Sequence, residues 1–151
     1  MSIYKKLSPG EFDHMINYPV YTNDPKQLNK MKTDFLDASI KAFGKHKYSR
    51  LKEGSRKVIE RICITAADRG FFYIKRKDFL SRNHISDKTL RNIMATLREA
   101  GVIVTIYQGS LTHNGRGEPI HLFIDHPYFS YWRDSLDLQE YLTRNEKDCE
   151  L

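Results

Sequence analysis

The chain is poor in cysteine: Cys63 and Cys149 are the only two in 151 residues. Two thiols make no disulfide framework, so a reducing cytoplasm is the expected setting. No apolar run approaches the ~18 residues that a membrane-spanning helix requires, which removes a bilayer from the expected partners. No apolar leader region opens the sequence. Internal repeats and low-complexity stretches are absent as well. Neither a P-loop nor a dinucleotide-binding fingerprint is present. His113, Glu118, His121, Asp125 and His126 fall close together, but their spacing matches no zinc or iron site. The Asp125-His126 pair has no nucleophile motif to serve. The expectation is a protein that is not an enzyme and takes no metal, no cofactor and no inferable small-molecule ligand.

What is present is positive charge, unevenly placed. Residues 1–40 hold 5 basic and 5 acidic groups, net 0. Residues 41–116 hold 17 basic and 6 acidic groups, net +11, and residues 117–151 hold 3 and 8, net −5. A basic block of this size is the footprint of a polyanionic partner. Its densest run is Lys41, Lys45, His46, Lys47, Arg50, Lys52, Arg56 and Lys57, with Tyr48 among them. Gly44 and Gly54 bracket most of that run and predict a loop, in which Lys47 and Arg50 could track a phosphate backbone. The plainer reading of the same run is a solvated linker.

The best-specified element lies at residues 86–100. Ser86 suits the N-cap and Gly101 the stop. Leu90, Ile93, Met94, Leu97 and Ala100 recur at helical spacing and form one apolar stripe. The remaining surface carries Lys88, Thr89, Arg91, Asn92, Ala95 and Thr96. Lys and Arg suit phosphates or guanine edges, Asn suits adenine, and Ala or Thr can touch a thymine methyl. A merely solvated helix face is the alternative.

A shorter helix is predicted over residues 76–82, with Phe79 and Leu80 inward. Lys75, Arg76 and Lys77 crowd its start, where the backbone dipole disfavours cations. An external phosphate would resolve that conflict, as would local compensation by Asp78. Asn83 and His84 form the turn and Ile85 is expected to bury. After Gly101, residues 102–107 are β-branched and aromatic, and residues 120–125 alternate with Ile120, Leu122 and Ile124 on one face. His121 is expected on the opposite, exposed face. Residues 108–119 connect the two strands and contain Gly109, Gly115 and Gly117, with Arg116 between two of the glycines. Such an arginine could enter a minor groove, or be a spare charge on a mobile loop. Phe71 to Ile74 precede the short helix and predict a third strand. Before them, residues 55–69 predict a helix burying Val58, Ile59, Ile62, Cys63 and Ala66, stopped by Gly70.

In this order, residues 52–126 resemble a winged helix-turn-helix domain of the DNA-binding kind, similar in general look to proteins of Gram-positive plasmids and phages. The resemblance implies an α+β fold, mainly α, with helix 86–100 as the recognition helix in the major groove and residues 108–119 as the wing on the minor groove or backbone. It implies DNA contacts by Lys88, Arg91, Asn92 and Thr96 and by Arg116 as the wing-tip cation. The chain then divides into an N-terminal helical extension (1–51), the winged helix (52–126), and a C-terminal helix and tail (127–151).

In the extension, Ser8-Pro9-Gly10-Glu11 reads as a capped helix start, and Asn23-Asp24-Pro25 begins a longer helix ending at Gly44. Leu28, Met31, Phe35, Ala38 and Ala42 share its apolar stripe. At the other end Tyr128, Phe129, Tyr131 and Trp132 make an aromatic patch that suits a core edge, followed by a helix predicted over 130–144. Either helix could pack at home or build a homodimer. The functional expectation is a cytoplasmic, nucleoid-associated protein binding double-stranded DNA, a transcriptional regulator acting as a homodimer. The alternatives are an origin-binding replication or partition factor of a mobile element, and a winged helix used only for protein contacts.

Overall fold

The first helix is set by its own sequence. Ser8 Oγ accepts from the Glu11 N–H at 3.1 Å, and Glu11 Oε1 accepts from the Ser8 N–H at 2.9 Å. This reciprocal cap starts α1 (Pro9–Ile16), just after a two-residue strand β1 (Lys6–Leu7). The computed structural model describes residues 4–109 and 116–142; Cys149, His113 and the hairpin tip lie outside them. Asp24 caps α2 (Pro25–Phe43), which Gly44 ends at φ +88°. The basic stretch that follows is not a loop. It forms a short helix α3 (Lys45–Arg50), anchored by half-buried Tyr48 and Leu51 against the main core, an anchor too sparse to give a periodic signal. Then come α4 (Glu53–Arg69), β2 (Phe71–Phe72), α5 (Arg76–Asn83), α6 (Asp87–Glu99), β3 (Ile103–Gly109), β4 (Arg116–Phe123) and α7 (Phe129–Ser135).

The architecture is α+β and mainly helical, with a four-stranded mixed sheet in the order β1-β3-β4-β2. The β3–β4 hairpin is antiparallel, with Ile106 opposite Ile120 and Thr105 opposite His121. β2 adds antiparallel to β4, and β1 adds parallel to β3 at the other edge. Side chains alternate across the sheet, and both faces are covered. Phe72, Ile103 and Phe123 face a core with Val58, Ile62, Phe79, Ile93 and Leu97 of the helices. Phe71, Ile106, Ile120 and Leu122 face a second core with Leu7, Met15, Trp132 and Leu138. This overturns one expectation. His121 is buried, 5 % exposed, because the face opposite Ile120 is covered too and not solvated.

The carbonyls that close α4 show how the chain ends join this fold. The last carbonyls of a helix have no partner within it. Here Ala66 O accepts from Gly70 N at 2.8 Å, Ala67 O faces His126 Nε2 at 3.0 Å, Asp68 O accepts from Tyr21 N at 2.8 Å, and Arg69 O accepts from Trp132 Nε1 at 2.8 Å. One donor comes from the turn itself, one from before α2 and two from beyond β4. Gly70, at φ +86°, has no room for a Cβ, which would sit 2.9 Å from the His126 ring.

Two further expectations are corrected. The C-terminal helix does not run unbroken from 130 to 144: α7 stops at Ser135, and Asp137 takes a left-handed conformation at φ +55°. Residues two apart point to different sides of a helix, so this break is what lets Leu136 and Leu138 both bury in the second core. Residues 143 and 144 lie outside the described residues. Ala100, expected on the apolar stripe of α6, is instead its exposed C-cap.

Of the apolar material that suggested a homodimer, Phe35, Trp132 and Leu136 are buried within one chain, and Leu28, Met31, Ala38 and Tyr131 are half-buried. α2 lies along α4, with Phe35 buried and stacked 4.7 Å from Phe123. Trp132 is fully buried, ringed by Tyr18, Tyr131 and Phe71. Among the described residues, no helix is long and apolar enough to cross a membrane.

Candidate nucleic-acid interface

α5 and α6 are joined by a tight corner. His84 ends α5 in a left-handed conformation at φ +53°, its N–H bonded to Leu80 O. Half-buried Ile85 follows, and Ser86 then caps α6 by accepting from Thr89 N at 3.1 Å. Ser86 Oγ and Thr89 Oγ1 are 2.9 Å apart. Half-buried Thr89 is therefore part of the helix start, and its hydroxyl is engaged there.

Beyond the cap, Leu90, Ile93, Met94 and Leu97 bury against the core, as their spacing predicts. Lys88, Arg91 and Asn92 are exposed, and Ala95 and Thr96 are half-buried beside them. Thr96 donates its hydroxyl back to the Asn92 carbonyl at 3.0 Å, which leaves its lone pairs and methyl outward-facing chemistry only. Lys88 and Asn92 have no ion pair or side-chain hydrogen bond among the described residues.

Arg91 is different. Its Nε lies 3.0 Å from Asp87 Oδ2, one turn back on α6. Arg76 Nη1, from the start of α5, lies 3.4 Å from Asp87 Oδ1. One carboxylate thus lies in ion-pair range of two of the expected contact residues, although its Oδ1 is buried without a hydrogen-bond partner among the described residues. It also answers the conflict at the start of α5: the compensating acid for Arg76 is Asp87 on the next helix, not Asp78. Lys75 and Lys77 stay exposed and have no ion pair among the described residues.

Between α6 and the hairpin lies a cleft of about 690 Å³. Arg76, Asp87, Arg91, Arg98, Glu118 and His121 line it. Arg98 Nη1 donates to Thr105 Oγ1 at 3.1 Å, and Thr105 Oγ1 faces His121 Nδ1 at 2.9 Å. Burial, with Arg98 nearby, pushes the His121 pKa down to about 3, so the ring is neutral. This chain ties the far end of α6 to β3 and β4. Glu118 Oε2 is buried without a hydrogen-bond partner among the described residues. Its charge adds to burial in raising the pKa of Tyr73.

Not every expected residue joins this surface. Lys47 and Arg50 are exposed on α3, outside the cleft. Arg116 opens β4 opposite Gly109, so its backbone sits in the hairpin ladder and not at the tip; residues 110–115 lie outside the described residues. Gly117 is needed where it stands, because a Cβ there would come within 2.6 Å of the Gln108 carbonyl oxygen.

The histidine beside Asp125 is structural. His126 faces Ala67 O through Nε2 and accepts from Tyr128 N at Nδ1, 2.9 Å away, so both ring nitrogens are engaged. Among the described residues no group of three His, Cys, Asp or Glu side chains could hold a metal ion.

Sequence reasoning missed Asp87, Arg98, Thr105 and His121. The Asp87–Arg91 spacing of four was a legible helical ion pair. The Arg98–Thr105–His121 chain depends on α6 packing over the hairpin and has no local signal. No protein-family model, curated protein or solved structure matches the chain.

Proposed function

We propose that the protein is a winged helix-turn-helix protein that binds double-stranded DNA as a transcriptional regulator, with α6 in the major groove and the β3–β4 hairpin as its wing. The element order supports the fold reading: α4, β2, α5, α6, β3 and β4 follow one another, and β2 returns to pair with β4. In that frame β1, α1 and α7 are additions that cover the free sheet face and edge, and α2 and α3 are additions packed on the helical side.

The observation that carries the functional reading is the division of α6. It buries Leu90, Ile93, Met94 and Leu97 and leaves Lys88, Arg91 and Asn92 exposed, with only the small side chains of Ala95 and Thr96 between them and the next turn. Those are the side chains that pair with phosphates and base edges, and the small residues permit close approach. Exposed Lys75 and Lys77 at the start of α5 add phosphate contacts, beside Arg76 in its ion pair with Asp87. The net charge of +11 over residues 41–116 supplies the long-range attraction.

Fluorescence anisotropy on a labelled duplex tests this. Counterion release makes the expected affinity fall steeply between about 50 and 200 mM salt, by about a thousandfold if six phosphates are neutralised. No binding at the low-salt end, or a flat salt response, would refute it. Genomic pull-down at physiological salt then identifies the sites, and promoters are expected.

A further inference from the structure

Arg91 is held by one nitrogen only. Asp87 Oδ2 lies 3.0 Å from its Nε in an ion pair, and the two Nη groups at the end of the guanidinium have no partner among the described residues. Arg76 of α5 lies 3.4 Å from the other Asp87 oxygen, an ion contact without a hydrogen bond, and that buried oxygen has no hydrogen-bond partner among the described residues. A guanine presents O6 and N7 side by side in the major groove, and two parallel N–H donors match that edge. From this geometry we infer that Asp87 is a specificity-determining positioning residue: it aims the Nη edge of Arg91 at a guanine, and Arg76 braces it. The inference rests on the duplex-DNA reading above and names one base in the site.

The arrangement has two physical consequences. An unbraced arginine swings readily to the nearest phosphate, where it adds affinity for any sequence. Arg91 is 69 % exposed and would have that freedom. Asp87 also places a negative charge at the interface, which opposes indiscriminate contact with the backbone. Removing it should therefore weaken discrimination while leaving affinity for random DNA equal or higher. A residue that served only folding would lower both.

Selection from a random duplex pool by the full chain reads this directly. The wild type should enrich a motif with a guanine that Arg91→Ala no longer selects. Asp87→Ala should lose about tenfold in preference for that guanine, within the range of one bidentate contact. Its affinity for a random duplex should not fall. Asp87→Asn retains an oxygen acceptor for Nε and should restore part of the preference; it also serves if the alanine variant melts early. Asp78→Ala, which removes an exposed and unpaired acid from α5, should keep the wild-type motif. If Asp87→Ala or Asp87→Asn selects the guanine as strongly as the wild type, or if Asp78→Ala loses it equally, the inference is overturned while DNA binding stands. If the wild type retains no duplex at low salt, the functional reading itself fails, and this inference with it.

Discussion

Trp132 donates its indole N–H to the backbone carbonyl of Arg69 across 2.8 Å, and its ring is fully buried. The bond joins a residue beyond the sheet to the last turn of α4, 63 positions earlier. It makes the C-terminal segment part of the central fold.

Trp132→Phe keeps most of the apolar ring and removes the donor. The Arg69 carbonyl would be left without its partner and a small void would open beside it. The expected cost is about 2–4 kcal/mol, combining an unsatisfied buried acceptor with lost packing. Urea denaturation monitored by far-UV circular dichroism measures it. A loss under about 0.5 kcal/mol would mean that water replaces the indole without penalty.

Contacts to bases and to phosphates should separate in the variants of α6. Asn92→Ala should reduce discrimination between a selected site and random duplex by about 1–3 kcal/mol. Lys88→Ala should weaken both alike and lower the log–log salt slope by about 1. Anisotropy titrations over a salt series distinguish the two, and equal behaviour of the variants would contradict the roles assigned.

Stability should fall on acidification because His121 resists protonation in the fold. Its folded pKa of about 3 lies below the ordinary 6.5, so the unfolded chain binds the extra proton first. The stabilisation is fully present above pH 6.5 and is lost progressively between 6.5 and about 3. At pH 5 the loss is about 2 kcal/mol. Buried His126, its pKa also lowered by burial, adds in the same direction. Chemical denaturation at pH 7.5 and 5 measures the total, and His121→Asn, which keeps a hydrogen-bonding group for Thr105, should reduce the difference.

A monomer mass is expected from light scattering at micromolar concentration, with one chain per short duplex site. Of the apolar residues that suggested a dimer, Phe35, Trp132 and Leu136 are buried in one chain, while Leu28, Met31, Ala38 and Tyr131 are half-buried. A dimer mass would point to the half-buried stripe of Leu28, Met31 and Ala38 on α2, or to exposed Ile16 and Ile64, as the residues to mutate first.

The elements legible in the sequence are those whose signals are local. Ser86 with Leu90, Ile93, Met94 and Leu97 defined α6, and Val58 to Ala66 with Gly70 defined α4. Ser8 and Glu11 likewise announced α1. His121 was misplaced because alternation in β4 was read as one dry face and one wet, whereas α6 covers the second face. α3 escaped because its residues are polar and its glycine flanks look like punctuation. The break at Asp137 follows from two leucines, 136 and 138, reaching one core. The ion pair between Arg76 and Asp87 needed the α5–α6 corner to exist first.

Cys63 gives the molecule a clock for its own opening. The thiol is fully buried under α2, next to Ser39, and burial pushes its pKa up to about 11. Thiolate is the species that reacts, so labelling at neutral pH waits for α2 to leave α4. In a Cys149→Ser background a single thiol remains. Its modification rate then reads how often the long N-terminal helix lifts away, without a dye, a tag or a second mutation.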